Sequence, residues 1–197
     1  MRWRERARSC KSQAAMTAEP ALRRKTIALV GLMGVGKSSI GRRLAAVLGM
    51  PFRDADAEVE EAAGRSVADI FTELGEAAFR DGERKVIARL LAGEPHVLAT
   101  GGGAFMNDET RALIKDRAVS VWLKGDLEVL AKRVARKSDR PLVAGKDPME
   151  VLKAQAEARY PVYAQADIVV ETGETPHQTA VDAILTALRA HLAESDA

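Results

Sequence analysis

The sequence predicts an α/β protein, a parallel sheet covered by helices on both faces, and three observations carry that prediction. Short apolar runs bounded by turn residues alternate with amphipathic stretches, which is the pattern of repeated βα units. The first apolar run passes directly into a glycine-rich loop and then a helical pattern, Gly31-Leu-Met-Gly-Val-Gly-Lys-Ser38. The chain has 197 residues, 47% of them apolar and 29% charged, enough for one substantial core in a single domain.

The elements follow in order. Strands are expected at Thr26 to Val30, Pro51 to Arg53, His96 to Thr100, Val119 to Leu123 and Asp167 to Glu171. Between the first two, Lys37 to Leu48 places Ile40, Leu44, Val47 and Leu48 on one helical face, and Gly49 closes the helix. Asp54 to Leu74, with a helix start at Ser66, lengthens the next link into a small helical insertion. From Gly75 to Leu91 a second stripe runs through Phe79, Val86, Ile87, Leu90 and Leu91. Arg136 to Pro148 is polar, with Lys137, Ser138, Asp139, Gly145 and two prolines, and reads as a mobile loop. A last stripe joins Val181, Ile184, Leu185, Leu188 and Leu192. No internal repeat or second domain is visible.

Composition excludes several classes. The single Cys10 rules out an intrachain disulfide and leaves no Cys/His metal cluster. The longest apolar stretch, Ile27 to Gly36, is half of the roughly 20 residues that a membrane span needs. Residues 1 to 25 carry eight Lys/Arg against Glu5 and Glu19, a balance of +6 that leaves −4 for the remainder of a chain whose total is +2. That segment is expected to be a disordered basic extension ahead of one domain at 26 to 197, with Met16 an alternative start. An organelle transit peptide is the alternative to a cytoplasmic protein. A nucleic-acid partner is not expected, since neither an aromatic-rich surface nor a helix-turn-helix pattern accompanies the charge.

Residues 31 to 38 satisfy the G-x-x-x-x-G-K-[ST] phosphate-binding pattern, with a strand before and a helix after. Glycines at these positions let successive backbone N–H groups of Gly34, Val35, Gly36, Lys37, Ser38 and Ser39 wrap a polyphosphate, while the helix directs its positive end at the same charge. Lys37 then reaches the β- and γ-phosphates and Ser38 holds Mg²⁺. After the second strand comes Asp54-Ala-Asp56, where two carboxylates either serve Mg²⁺ and an acceptor hydroxyl or simply cap the following helix. Gly101-Gly102-Gly103 ends the third strand, either to let a ligand approach the backbone or as a flexible turn. Arg80, Arg140 and Arg159 are unremarkable singly.

In combination, Gly31 to Ser38, Asp54-x-Asp56, Gly64-Arg-Ser66 with Ala68-Asp-Ile-Phe71, Gly75-Glu76 with Phe79-Arg80 and Glu83, Gly101 to Gly103, Arg140-Pro-Leu142 and Arg159-Tyr-Pro-Val-Tyr163 closely resemble the shikimate kinases, from about residue 26 to 190. The resemblance implies a P-loop fold like that of the nucleoside-monophosphate kinases, with five parallel strands in the order 2-3-1-4-5. It implies ATP-dependent phosphorylation of the shikimate 3-hydroxyl in aromatic amino-acid biosynthesis, with Mg²⁺ as cofactor, by a monomer. Carried over by position, it makes Asp56, Arg80, Gly101, Gly102, Gly103 and Arg159 the shikimate-binding residues. Asp56 is also the candidate base, and Asp54 reaches Mg²⁺ through water. Arg140 in a lid at about 136 to 148 contacts the phosphates, Arg136 stacks on adenine, and the insertion at about 54 to 83 forms the acceptor site. The basic extension is no part of the pattern. A gluconate kinase of the same architecture and a nucleotide-hydrolysing switch are the rival readings. Against the switch, Leu123-Lys124-Gly125-Asp126 lacks the Asn of a guanine-recognition motif.

Overall fold

The computed structural model describes residues 22–136 and 147–195. Strand β1 (Thr26–Val30) passes through the glycine loop into α1 (Lys37–Leu48), and β2 (Phe52–Asp54) runs straight into α2 (Ala55–Ala63) and α3 (Val67–Leu91). Strand β3 (Val97–Ala99) ends at the triple glycine, followed by a 3₁₀ turn (Ala104–Met106) and α4 (Asp108–Arg117). Then come β4 (Ala118–Gly125), α5 (Leu127–Ala135), α6 (Pro148–Tyr163), β5 (Ile168–Thr172) and α7 (His177–Ser195).

The five strands form one sheet in the order β2-β3-β1-β4-β5, every neighbouring pair parallel, as expected. Burial of both faces demands continuous apolar runs, and all five residues of β1 and the first six of β4 are buried. Register fixes the site. Ala99 pairs with Leu29 on one side and Asp54 on the other, so β1, β2 and β3 end at one level and release Gly31, Asp56 and Gly101 at the same edge. Thr100 locks that edge, donating from both its backbone N–H and its hydroxyl to the Leu29 carbonyl at 3.1 and 2.9 Å.

Helix boundaries follow local chemistry. Ser66 caps α3, accepting from the Asp69 N–H at 3.1 Å, and Gly49 ends α1 at φ 62°. Two expectations needed correction. Val47 is 51% exposed, because the arc that α1 buries runs through Ile40, Gly41, Leu44, Ala45 and Leu48, and Val47 stands about 90° from its centre at 3.6 residues per turn. The run from 67 to 91 is broken at Gly75 (φ 83°, ψ 168°), where the sequence divides the insertion ending at Leu74 from the stripe opening at Gly75, so α3 is two helical pieces joined at a kink. Leu22 is 3% exposed and packs into the core, so the ordered body begins ahead of residue 26. Most of the basic extension, Arg140, and residues 137–146 of the expected lid lie outside the described residues.

A main core fills both faces of the sheet, and a smaller cluster of Val59, Ile70, Phe79 and Val86 sits between α2 and α3. Each such side chain contributes about 1.5–3 kcal/mol by leaving water. The smaller cluster matters for function, because burying Phe79 aims the adjoining Arg80 away from the α2–α3 interface and toward the sheet edge.

Candidate active site

A cleft of about 820 Å³ opens at the carboxyl ends of β1, β2 and β3, where ligand crevices of parallel sheets lie. One end is built from backbone. Gly31, Gly34 and Gly36 have φ of 142°, 81° and 95°, which side chains rarely adopt, and a Cβ on Gly31 would stand 2.6 Å from the Leu123 carbonyl oxygen. Lys37 folds back across this loop, its Nζ donating to the carbonyls of Gly31 at 2.7 Å and Leu32 at 3.0 Å. Ser38 and Ser39 line the cleft, whereas Val35 is wholly buried and does not.

Asp54 caps the following helix and also reaches the phosphate loop. Its Oδ1 accepts from the Asp56 N–H at 3.2 Å, capping α2, while its Oδ2 accepts from the Ser38 hydroxyl at 2.6 Å. Two hard oxygens thus meet beside the phosphate loop. Among the described residues no cluster of three or more His, Cys, Asp or Glu could hold a metal. A Ser/Asp pair still fits Mg²⁺, which keeps several waters and takes its remaining ligands from phosphates.

The other end is built from side chains that arrive from three helices onto the triple-glycine turn. Each glycine of the triple turn has a charged group parked against it. A Cβ on Gly101 would collide with Glu83 Oε1 and lie 3.0 Å from Asp56 Oδ1; one on Gly102 would lie 3.2 Å from Arg159 Nη1; one on Gly103 would lie 2.7 Å from the Arg80 guanidinium. The turn must therefore be glycine for the charges to sit where they do. Arg159 Nη1 donates to the Gly102 carbonyl at 3.0 Å, and the buried Tyr163 hydroxyl donates to the same oxygen. Arg80 is held by Glu83 at 2.8 Å and Glu76 at 3.1 Å, and lies 5.0 Å over the Phe79 ring. Beside it, Phe71 and Phe79 form an apolar wall with ring centres 4.8 Å apart.

Electrostatics distinguish the carboxylates. Asp56 projects into the cleft, partly open to it, yet enclosure by protein raises its pKa above the ordinary aspartate value, and the charge of Asp54 adds to this against the pull of Lys37 and Arg80. Glu83, 2% exposed, is raised by burial too, with Arg80 opposing, and its Oε1 has no hydrogen-bond partner. A carboxyl held upward is a better proton acceptor than a free one.

The structure thus brings together Gly34, Gly36, Lys37, Ser38, Ser39, Asp54, Asp56, Arg80, Gly101, Gly102, Gly103, Arg136 and Arg159 in one cleft. Arg140 lies outside the described residues. Sequence reading assigned no role to Glu83, Arg133 or His177, which share the wall or hold its members. Glu83 was findable, one helical turn from Arg80 and of opposite charge. Arg133 shows its position only in three dimensions, where its Nη2 donates to the Gly173 carbonyl at 2.9 Å, tying α5 to the segment after β5.

Comparison with known proteins identifies the chain's relatives. The family profile described as "Shikimate kinase" matches residues 33–189. A shikimate kinase from Caulobacter vibrioides is 74% identical over 168 residues, covering 85% of this chain and 84% of its own length. One from Zymomonas mobilis is 54% identical over 164 residues, covering 83% and 93%. Among solved structures, shikimate kinase from Acinetobacter baumannii in complex with shikimate superposes with a TM-score of 0.84 at 33% identity, covering 88% of this chain and 97% of that one. A gluconokinase from Sinorhizobium meliloti reaches 0.51 at 25% identity, covering 88% and 95%.

Proposed function

The chain belongs to the shikimate kinase family, and from that premise we propose how its cleft divides the work of moving the γ-phosphoryl group of ATP to the 3-hydroxyl of shikimate. The reaction yields shikimate 3-phosphate and ADP, a step toward the aromatic amino acids. One observation carries the assignment of residues: Asp56, Arg80 and Arg159 converge on the triple glycine, whose Gly102 sits against the phosphate loop, a Cβ there lying 3.7 Å from the Gly31 carbonyl oxygen and 3.8 Å from the Met33 nitrogen.

Shikimate is an anion with three ring hydroxyls, so its pocket needs guanidinium groups for the carboxylate and an acceptor for the hydroxyls. Arg80 and Arg159 supply the first. Both are already oriented, by Glu83 and by the Gly102 carbonyl, so little rotamer freedom is lost on binding. Asp56 supplies the second. As the 3-oxygen bonds to the γ-phosphorus and the bond to the ADP oxygen breaks, the hydroxyl proton passes to Asp56, whose raised proton affinity suits that transfer. Lys37 lies across the loop within reach of the β- and γ-phosphates and neutralises charge that develops there.

Mg²⁺ would be held by Ser38 with Asp54 behind its waters, and when bound it supplies charge neutralisation between the β- and γ-phosphates. Arg136 stands at the C-terminal cap of α5 in the cleft wall and is assigned to the nucleotide base end, with Arg133 beside it. Arg140 and the segment 137–146 are assigned to phosphate contact and closure on the strength of the family pattern. The enzyme is read as a cytoplasmic monomer; among the described residues no helix is long and apolar enough to cross a membrane.

The test is ADP release with ATP and Mg²⁺ in the presence of shikimate, gluconate or no acceptor, with the product identified by mass spectrometry. Turnover only with shikimate, giving the 3-phosphate, is expected. Turnover only with gluconate would keep the fold and overturn the acceptor, and acceptor-independent hydrolysis would overturn transfer itself.

A further inference from the structure

One ionisable group beside the phosphate loop takes no part in the transfer chemistry above. His177 opens α7, half-buried in the cleft wall. Its Nε2 and Cδ2 lie 3.2 and 3.4 Å from where a side chain on Gly36 would begin, so the imidazole rests on the glycine that caps α1. The charges acting on it are Arg43 from α1 and Arg133 from α5, while Lys37 and Arg136 share its wall. On its own helix Asp182 is already engaged by Gln178 at 3.0 Å.

We infer that His177 senses the nucleotide: neutral in the free enzyme, it takes a proton from solvent as a polyphosphate settles on the phosphate loop, and then acts as a cation toward that polyphosphate. No covalent bond changes. In the free enzyme burial, then Arg43 and Arg133, hold the imidazole below its usual pKa, so it is neutral at pH 7. A bound ADP or ATP places several negative charges among these cations and reverses the sign of the local field. Binding that raises a proton affinity must itself strengthen as pH falls, across the window between the raised value in the complex and the depressed value in the free enzyme. Above that window the effect vanishes.

The inference rests on the reading that this end of the cleft receives ATP, and the experiment separates the two. The chain has three histidines, so the imidazole resonances of the full-length enzyme can be followed by NMR from pH 5 to 8, with and without MgADP, and H177Q identifies the one that matters. On adding MgADP, His177 should gain proton affinity about threefold or more, while His96 and His191 stay put. The KM for ATP should fall about threefold more between pH 7.5 and 6 in the wild type than in H177Q, with equal KM for shikimate. The phosphates' own titration is common to both proteins and cancels. An unmoved His177, or equal pH slopes, with MgADP bound, would overturn the inference and leave the cleft reading intact. Absence of any MgADP binding by calorimetry would overturn both.

Discussion

The two ends of the cleft are coded differently. The phosphate end is eight consecutive residues whose character lies in backbone: glycines at positive φ and one lysine laid across the loop. The acceptor end is three separated segments whose function lies in side chains, Asp56 after β2, Arg80 and Glu83 on α3, and Arg159 on α6, all seated on a turn that contributes mainly the absence of side chains. Damage at the first end should therefore disturb the fold or the chemical step, and damage at the second should loosen one substrate while the protein stays folded.

The largest expected effect is at Lys37. Lys37→Ala removes the cation nearest the transferring group, and kcat should fall by about 10²–10³-fold or more with Tm little changed. A near wild-type kcat in steady-state assays would remove Lys37 from charge neutralisation. Next comes Arg159→Ala. It deletes charge-assisted bonds worth about 1.5–3 kcal/mol, so the KM for shikimate should rise roughly 10- to 100-fold while the KM for ATP holds. An unchanged KM for shikimate would take Arg159 out of the acceptor site.

A pair of glycines sharpens the contrast. At Gly31 a methyl would meet the Leu123 backbone carbonyl at a φ of 142°, neither of which can yield cheaply. Gly31→Ala should cost about 2 kcal/mol, a fall in Tm of ~4–8 °C, visible by calorimetry. At Gly103 a methyl would meet only the far end of Arg80, which can swing aside.

The smallest effect is one of sign. Asp56 is less acidic in the folded protein than in the unfolded chain, so its contribution to stability is fully present below the unfolded pKa and is lost as pH rises toward the folded value. Asp56→Asn should abolish most activity yet raise stability at pH 7. Discounted for solvent in the open cleft, the gain is about 0.5 kcal/mol or ~2 °C, and it should disappear near pH 4. A Tm below wild type at pH 7 would show that the carboxylate is stabilised in place.

The same contrast explains what the sequence disclosed. The phosphate end was legible outright, because a backbone device needs contiguous glycines and leaves a contiguous trace. The alternation of strands and helices and the stripe through Ile40, Leu44 and Leu48 were legible for the same local reason, the sheet order came only through the family likeness, and Val47 went astray because it lies at the margin of a face that only packing defines. At the acceptor end Asp56 and the triple glycine stood out with two readings each, Arg80 and Arg159 did not stand out singly, and the ordered series was recognisable only through its likeness to a known family. Asp54 was undecidable between cap and ligand because one of its oxygens caps α2 while the other accepts from Ser38 on the phosphate loop. Glu83, Arg133 and His177 stayed unread because their importance lies in what they touch across the fold: Arg80 and the Gly101 turn, the Gly173 carbonyl, and the flank of Gly36.

The most direct test of a cleft with two separable ends is the steady-state kinetics of Gly103→Ala, read beside its Tm. The KM for shikimate should rise about tenfold, with the KM for ATP and the Tm close to wild type, as a displaced Arg80 on an intact frame requires. An unaltered KM for shikimate, or a KM for ATP that rises in step with it, would contradict the account.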